Sequence, residues 1–245
     1  MSIAPSAVIS PTARLAGDVV VGPFTIVHDD VELGPGTVVE SHCVLGLPTP
    51  AAAGRPLVVG AGAHIRSHSV LYAGSRFGPG LRTGHHVTVR EGNVAGEGLQ
   101  VGSYGDFQGD TTFGDHVRSQ SNVFVCKETT IGSYVWLFPG VTLTNDRRPP
   151  SEGPHLGPTL EDCCAIGASA TILPGVRVGA HALVAAGSLV REDVAPGALV
   201  AGVPGRDRGP AADLRLADGR PAYPWTTHFA RGYPPETVRG WLEEA

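Results

Sequence analysis

Residues 166–190, IGASATILPGVRVGAHALVAAGSLV, carry an aliphatic side chain at Ile166, Ile172, Val178, Val184 and Val190. A helix repeats every 3.6 residues and a simple strand every two, so neither accounts for a beat of six. Six is the spacing of a parallel β-helix: each hexapeptide lays down one flat face, and three faces close one coil. The aliphatic points inward, and stacked coils pair like parallel strands about 4.8 Å apart.

Working outward, the beat holds at Ile3, Ile9, Leu15, Val21, Val27, Leu33, Val39 and Leu45. It slips across residues 46–56, GLPTPAAAGRP, and resumes at Val59, Ile65, Leu71 and Phe77. It weakens at Thr83 and Ala95, recovers from Val101 to Leu143, stops, and returns at Leu160. A small or β-branched residue often sits four positions after the aliphatic, as a narrow prism requires. The expected fold is all-β: a parallel β-helix of about ten coils over residues 1–206, with loops at 46–58 and 144–158. Residues 207–245 change character. They hold Trp225 and Trp241, and PPETVRGWLEE predicts a short helix with Val238, Trp241 and Leu242 on one stripe. This α-helical tail is expected to pack on the last coil or on a neighbour.

Composition narrows the function. Aromatics are 6% of the chain, charged residues 17%, and the net charge is −5. That balance argues against a nucleic-acid or anionic-membrane partner. Four cysteines lack metal-ligand spacing and suit reduced thiols, and no leader or apolar run of about 18 residues is seen, so the expectation is a cytoplasmic protein. No metal is expected.

The 18-residue coil stacks His68, His86, Tyr104, Asn122 and Gly140 on one corner, beside Ser67, His85, Ser103 and Ser121. The next corner stacks Asp110, Glu128 and Asp146, beside Lys127 and Asn145. Such a column is either a solvated ridge or a site that attracts positive charge. It ends where residues 144–158 leave the coils, and a polar loop on a rigid scaffold is where a site is expected.

The 166–190 segment and SNVFV followed by IGSYVWLFPGVTLTNDRRPPSEG resemble the left-handed hexapeptide-repeat acyltransferases, most of all N-acyltransferases of nucleotide-linked amino sugars. The resemblance spans roughly residues 3 to 206 and implies a left-handed helix, a homotrimer and clefts between subunits. It implies acyl-CoA, acetyl-CoA first, as co-substrate and a small-molecule amine as acceptor. It carries the family's Asn-or-His position onto Asn122 and its loop motif onto Thr144, Asn145 and Asp146. Asn122, Asp146 and His86 become the candidate catalytic groups, and His85, Glu128, Asn145 and Arg147 candidate acceptor contacts. Small residues Ala168, Ala186 and Gly187 would let a pantetheine arm approach, and Arg206 and Arg208 would meet its phosphates. Three rivals stand beside this reading. An O-acyltransferase would need a base such as His86. A zinc hydratase resembling γ-type carbonic anhydrases would need a histidine pair five apart, where His116 is followed by Ser121. A non-catalytic trimeric scaffold would bind no acyl-CoA.

Overall fold

A chain that buries one aliphatic in six can satisfy its backbone only by stacking coil on coil. The computed structural model describes residues 1–152 and 155–243 and has this form. Two-residue strands build three sheets of twelve, ten and nine strands. Pairing is parallel in register steps of 18, for example Arg82 to Gln100 to Arg118 to Trp136 along the first sheet. The first sheet counts eleven parallel strands, so the solenoid makes about eleven turns rather than ten. The added turn is the closing one: strand Ala198–Ala201 pairs with Leu183–Val184 off the beat of six.

The beat is the core. Val21, Leu33, Leu45, Ile65, Leu137, Ile166 and Val184 are at most 2% exposed. The weak-beat positions Thr83, Ala95 and Ser119 are also buried. The small residue four positions on turns inward as well. Thr25, Ser75 and Thr129 are buried, and their hydroxyls donate to the carbonyls of Glu40, Arg90 and Cys126 at 2.7, 2.8 and 2.9 Å. All four cysteines are buried and none is in a disulfide among the described residues, and burial pushes Cys43, Cys126 and Cys164 upward in pKa.

Corners turn through left-handed residues. Phe24, His42, His68, His86, Tyr104 and Asn122 share φ near +60° at the corner between the first and second sheets. Asp110 and Glu128 do the same between the second and third. Both interruptions of the beat leave at this second corner. One runs from strand Val44–Leu47 to Val58–Val59, the other from Thr142–Leu143 to Thr159–Leu160.

The tail first caps the last coil, as strand Arg206–Pro210 pairs antiparallel with Ala198–Ala201. It then runs back along the first sheet instead of stopping on the last coil, because the large outward side chains lie further back. Trp225, Tyr233 and Trp241 cluster with Trp136, Phe138, Ala165 and Leu183. The α-helix Pro235–Glu243 presents Val238 and Trp241 to this cluster, whereas Leu242 is 57% exposed. Among the described residues no helix is long and apolar enough to cross a membrane.

Candidate active site

The first corner is a ladder of rings. Phe24, His42, His68, His86 and Tyr104 stack in turn at centroid separations of 4.7 to 5.1 Å. One rung up, exposed Asn122 ends the aromatic run, so Tyr104 separates His86 from Asn122. His68 is pushed down in pKa, first by desolvation and then by the neighbouring imidazoles His86 and His42.

His85 does not meet Asn122 either. Its Nδ1 shares a hydrogen bond of 2.8 Å with Ser67 Oγ and lies 4.0 Å from Glu40. Glu40 also accepts from the Ser67 N–H at 3.1 Å and pairs with His64 Nε2 at 2.9 Å. Burial works to raise the Glu40 carboxyl, but Ser67 and His64 outweigh it and hold the group below its ordinary value. Glu40 was not among the sequence candidates. The signal was present, since Glu40 and His64 flank one corner in adjacent coils, but the loop at 46–56 hid the register.

The second corner holds the loop. Lys127 lies 3.3 Å from Asp110, and its carbonyl accepts from Asn145 Nδ2 at 3.5 Å, the stacking expected of positions one coil apart. Asp146 departs from the column. Its carboxylate turns back and accepts from the Arg148 N–H at 2.9 Å, the Ser151 N–H at 2.9 Å and the Ser151 hydroxyl at 2.8 Å. The Arg148 N–H leads in holding Asp146 below its ordinary pKa, helped by Ser151 and His155, so the group is an anion at neutral pH. Arg147 donates to the Pro174 carbonyl at 3.2 Å, and Leu156 N–H returns to the Asn145 carbonyl at 3.0 Å. Asn145, Asp146 and Arg147 thus line one cavity of about 530 Å³ with Arg148 and His155. Glu128 is exposed on the rung below, against the returning Gly157.

Asn122 and this loop occupy opposite edges of the second sheet. Its rungs start at the ladder corner and end at the loop corner, so within one chain the two candidates face apart. Ala168, Ala186 and Gly187 lie on the same corner as Asn122, two to three rungs up; the Gly187 N–H donates to the Ala168 carbonyl at 2.8 Å. Gly187 has φ +69° and open space where a Cβ would be. Arg206 and Arg208 are exposed at the capped end, and Arg206 lies 4.0 Å from Glu192. Among the described residues no group of three or more His, Cys, Asp or Glu side chains is arranged to hold a metal ion.

No family model matches the chain. A 2,3,4,5-tetrahydropyridine-2,6-dicarboxylate N-acetyltransferase of Staphylococcus aureus (strain MRSA252) is 47% identical over 77 residues, 31% of this chain and 31% of that protein. The match therefore spans about a third of the length of the curated relative. The UDP-N-acetylglucosamine acyltransferase of Arabidopsis superposes with a TM-score of 0.64 at 17% identity, over 85% of this chain and 74% of that one. The corresponding enzyme of Campylobacter jejuni gives 0.60 at 18% identity over 98% and 81%. At such identities the likeness is one of fold. The 18-residue register and the parallel solenoid of about eleven turns agree with this likeness: the chain has the parallel β-solenoid fold of these acyltransferases, and over 77 residues its sequence is similar to that of the N-acetyltransferase.

Proposed function

We propose that this protein transfers an acyl group, acetyl first, from coenzyme A to the amine of a small acceptor, a nucleotide-linked amino sugar being the best-fitting class. The observation that carries the reading is the placement of Asn122 and Asp146 at opposite edges of one sheet. That sheet presents Val8, Ile26, Val44, Val70, Phe124 and Leu189 outward, with Thr88, Asp106, Thr142 and Thr171 between them, a mixed face of six apolar and four polar positions that suits a second copy of the chain. In a closed ring of three, the ladder corner of one subunit meets the loop corner of the next, and a heterologous interface of this kind repeats at each contact. The completed cleft then holds an amide, an anion and two arginines.

The chemistry asked of these groups is modest. The acceptor ammonium must lose a proton, its nitrogen must form a bond to the thioester carbonyl carbon, and the sulfur leaves as the thiol. A carboxylate has about four acceptor positions, and the loop occupies three of those on Asp146. The remaining position suits an ammonium held by charge. Asn122 offers an N–H to a developing oxyanion and a carbonyl to the acceptor. Ala168, Ala186 and Gly187 continue the same corner as an unobstructed track for a pantetheine arm, with Arg206 and Arg208 beyond it. His86, in its stack, is the base that an O-acyltransferase would need.

The test is a panel of amines, nucleotide-linked amino sugars among them, and matched alcohols, incubated with acetyl-CoA, with free thiol as the readout. Thiol release that depends on an amine supports the reading. Release only with alcohols moves the chain to O-acyl transfer, and no release with any acceptor argues for a scaffold.

A further inference from the structure

The tail does more than cap the solenoid. Where it lies on the first sheet it closes a cavity of about 730 Å³ whose walls include Arg82, Gln100 and Arg118 from three successive rungs and Arg231 from the tail. No carboxylate lines this cavity among the described residues. His116, also at its edge, has its own partner in Glu97 at 3.0 Å.

Arg118 is unusual. It is 9% exposed and has no ion pair among the described residues; its guanidinium lies 5.0 Å from the Trp136 ring and 3.9 Å from the Tyr233 ring. It donates to the carbonyls of Arg231 and Gly232 at 3.0 and 2.5 Å, while Nε has no hydrogen-bond partner. A buried cation without a counter-anion is costly unless a ligand supplies the charge. Arg82 and Arg231 are exposed and make no ion pair among the described residues. Three guanidiniums around one amide form a cradle for a doubly charged phosphoanhydride, the group that arginine forks bind best.

The cavity has a second compartment. Trp136 and Phe229 line both it and an adjoining pocket of about 210 Å³ that is walled by Phe138, Tyr223 and Trp225. A ligand that spans both must carry its anion next to a flat, weakly polar ring. We propose that this is a binding site for a nucleoside diphosphate group, with the phosphates on Arg82, Arg118 and Arg231 and the base against Trp136 and Phe229. Two sources share that chemistry: the handle of a nucleotide-linked acceptor, and the adenosine end of coenzyme A. The acceptor source rests on the amine-acyltransferase reading, and geometry favours it. Arg118 and Asn122 belong to the same coil, and four residues of extended chain span at most about 14 Å. A sugar attached to a diphosphate on Arg118 would therefore reach toward the Asn122 corner.

The test is calorimetric titration of the full chain with UDP, coenzyme A and inorganic pyrophosphate. UDP should bind more tightly than pyrophosphate. Arg82→Gln with Arg231→Gln, both exposed positions, should weaken UDP at least 10-fold with the thermal midpoint unchanged. Phe229→Leu should weaken UDP about 10-fold, as loss of a stacking face does, and leave pyrophosphate unaffected. UDP binding that coenzyme A does not displace assigns the site to the acceptor; displacement assigns it to the cofactor's diphosphate. Failure of UDP, coenzyme A and pyrophosphate all to bind, or equal affinity in the arginine variant, overturns the site. Thiol release with simple amines does not depend on this cavity, so the two readings fail separately.

Discussion

The indole N–H of Trp136 donates to the Tyr233 hydroxyl at 2.7 Å and ties the solenoid face to a residue 97 positions later. All three tryptophans of the chain meet here, Trp225 edge-on to both Trp136 and Trp241. Burial, ahead of every other cause, pushes Tyr233 from 10.0 up to about 12. Because the docked state favours the neutral phenol, docking is undiminished below pH 10 and is lost as pH rises through about 12. Tryptophan emission should shift to the red across that window while the β signal in circular dichroism persists. Tyr233→Phe should abolish the transition; an identical transition in that variant would remove Tyr233 as its cause.

Asp146→Asn replaces one of two accepting oxygens by a donor facing the Ser151 N–H, so it disturbs the loop as well as the charge. Turnover should fall about 100-fold, within the range of general acid–base groups. Ser151→Ala removes only the hydroxyl donor and should cost less than about 10-fold, mostly in KM. Equal losses in the two variants would mean that Asp146 acts only by shaping the loop.

The loop contacts of Asp146 should persist as pH is lowered through the ordinary carboxylate range. Asp146 is held below its ordinary value, so the loop contacts are complete above that ordinary value and are lost only as pH falls past the lowered one. Loss of the Asp146-dependent step already near pH 5, with protein and acceptor otherwise intact, would contradict this.

A Cβ on Gly157 would lie 2.4 Å from the carbonyl carbon and oxygen of Glu128. Gly157→Ala should therefore displace the point where the loop rejoins the coils, at a cost of about 1–3 kcal/mol. Thermal unfolding measures the cost, and a variant as stable and active as the parent would show that the loop gives way freely.

Arg206→Ala combined with Arg208→Ala should weaken acyl-CoA binding about 10-fold or more if either makes a charge-assisted contact to phosphate. Both are exposed, so stability should hold. Unchanged affinity by calorimetry would take the capped end of the solenoid out of the cofactor track.

The solenoid is legible in the sequence because its cause is one-dimensional: each coil packs only on its neighbours, so Val178 and Val184 meet the rule as plainly as Val21 and Val27. The candidate site is only partly so. Stacking in steps of 18 places Asn145 beside Lys127 and Asn122 above Tyr104. It fails at Asp146, because the side chain finds nearer donors at Arg148 and Ser151, a local turn that NDRRPPS encodes and the column ignores. The tail is least legible. Its contacts with Arg118 and Trp136 join segments more than ninety residues apart, and no periodicity links them. The expected partner was the last coil or a neighbour; the tail caps the last coil and then runs on to the large side chains of the first sheet.

In the proposed ring of three, Asn122 of one subunit works with Asp146 of the next. Asn122→Ala and Asp146→Asn chains, each nearly inactive alone, should be unfolded together, refolded into mixed trimers and assayed for thiol release with an acceptor that the amine panel identifies. Random mixing leaves both residues intact at about a quarter of the interfaces of a closed ring, so activity should recover to about a quarter of that of the unaltered protein. Mixed trimers no more active than the separate variants would place both residues in a single chain's site and contradict the account.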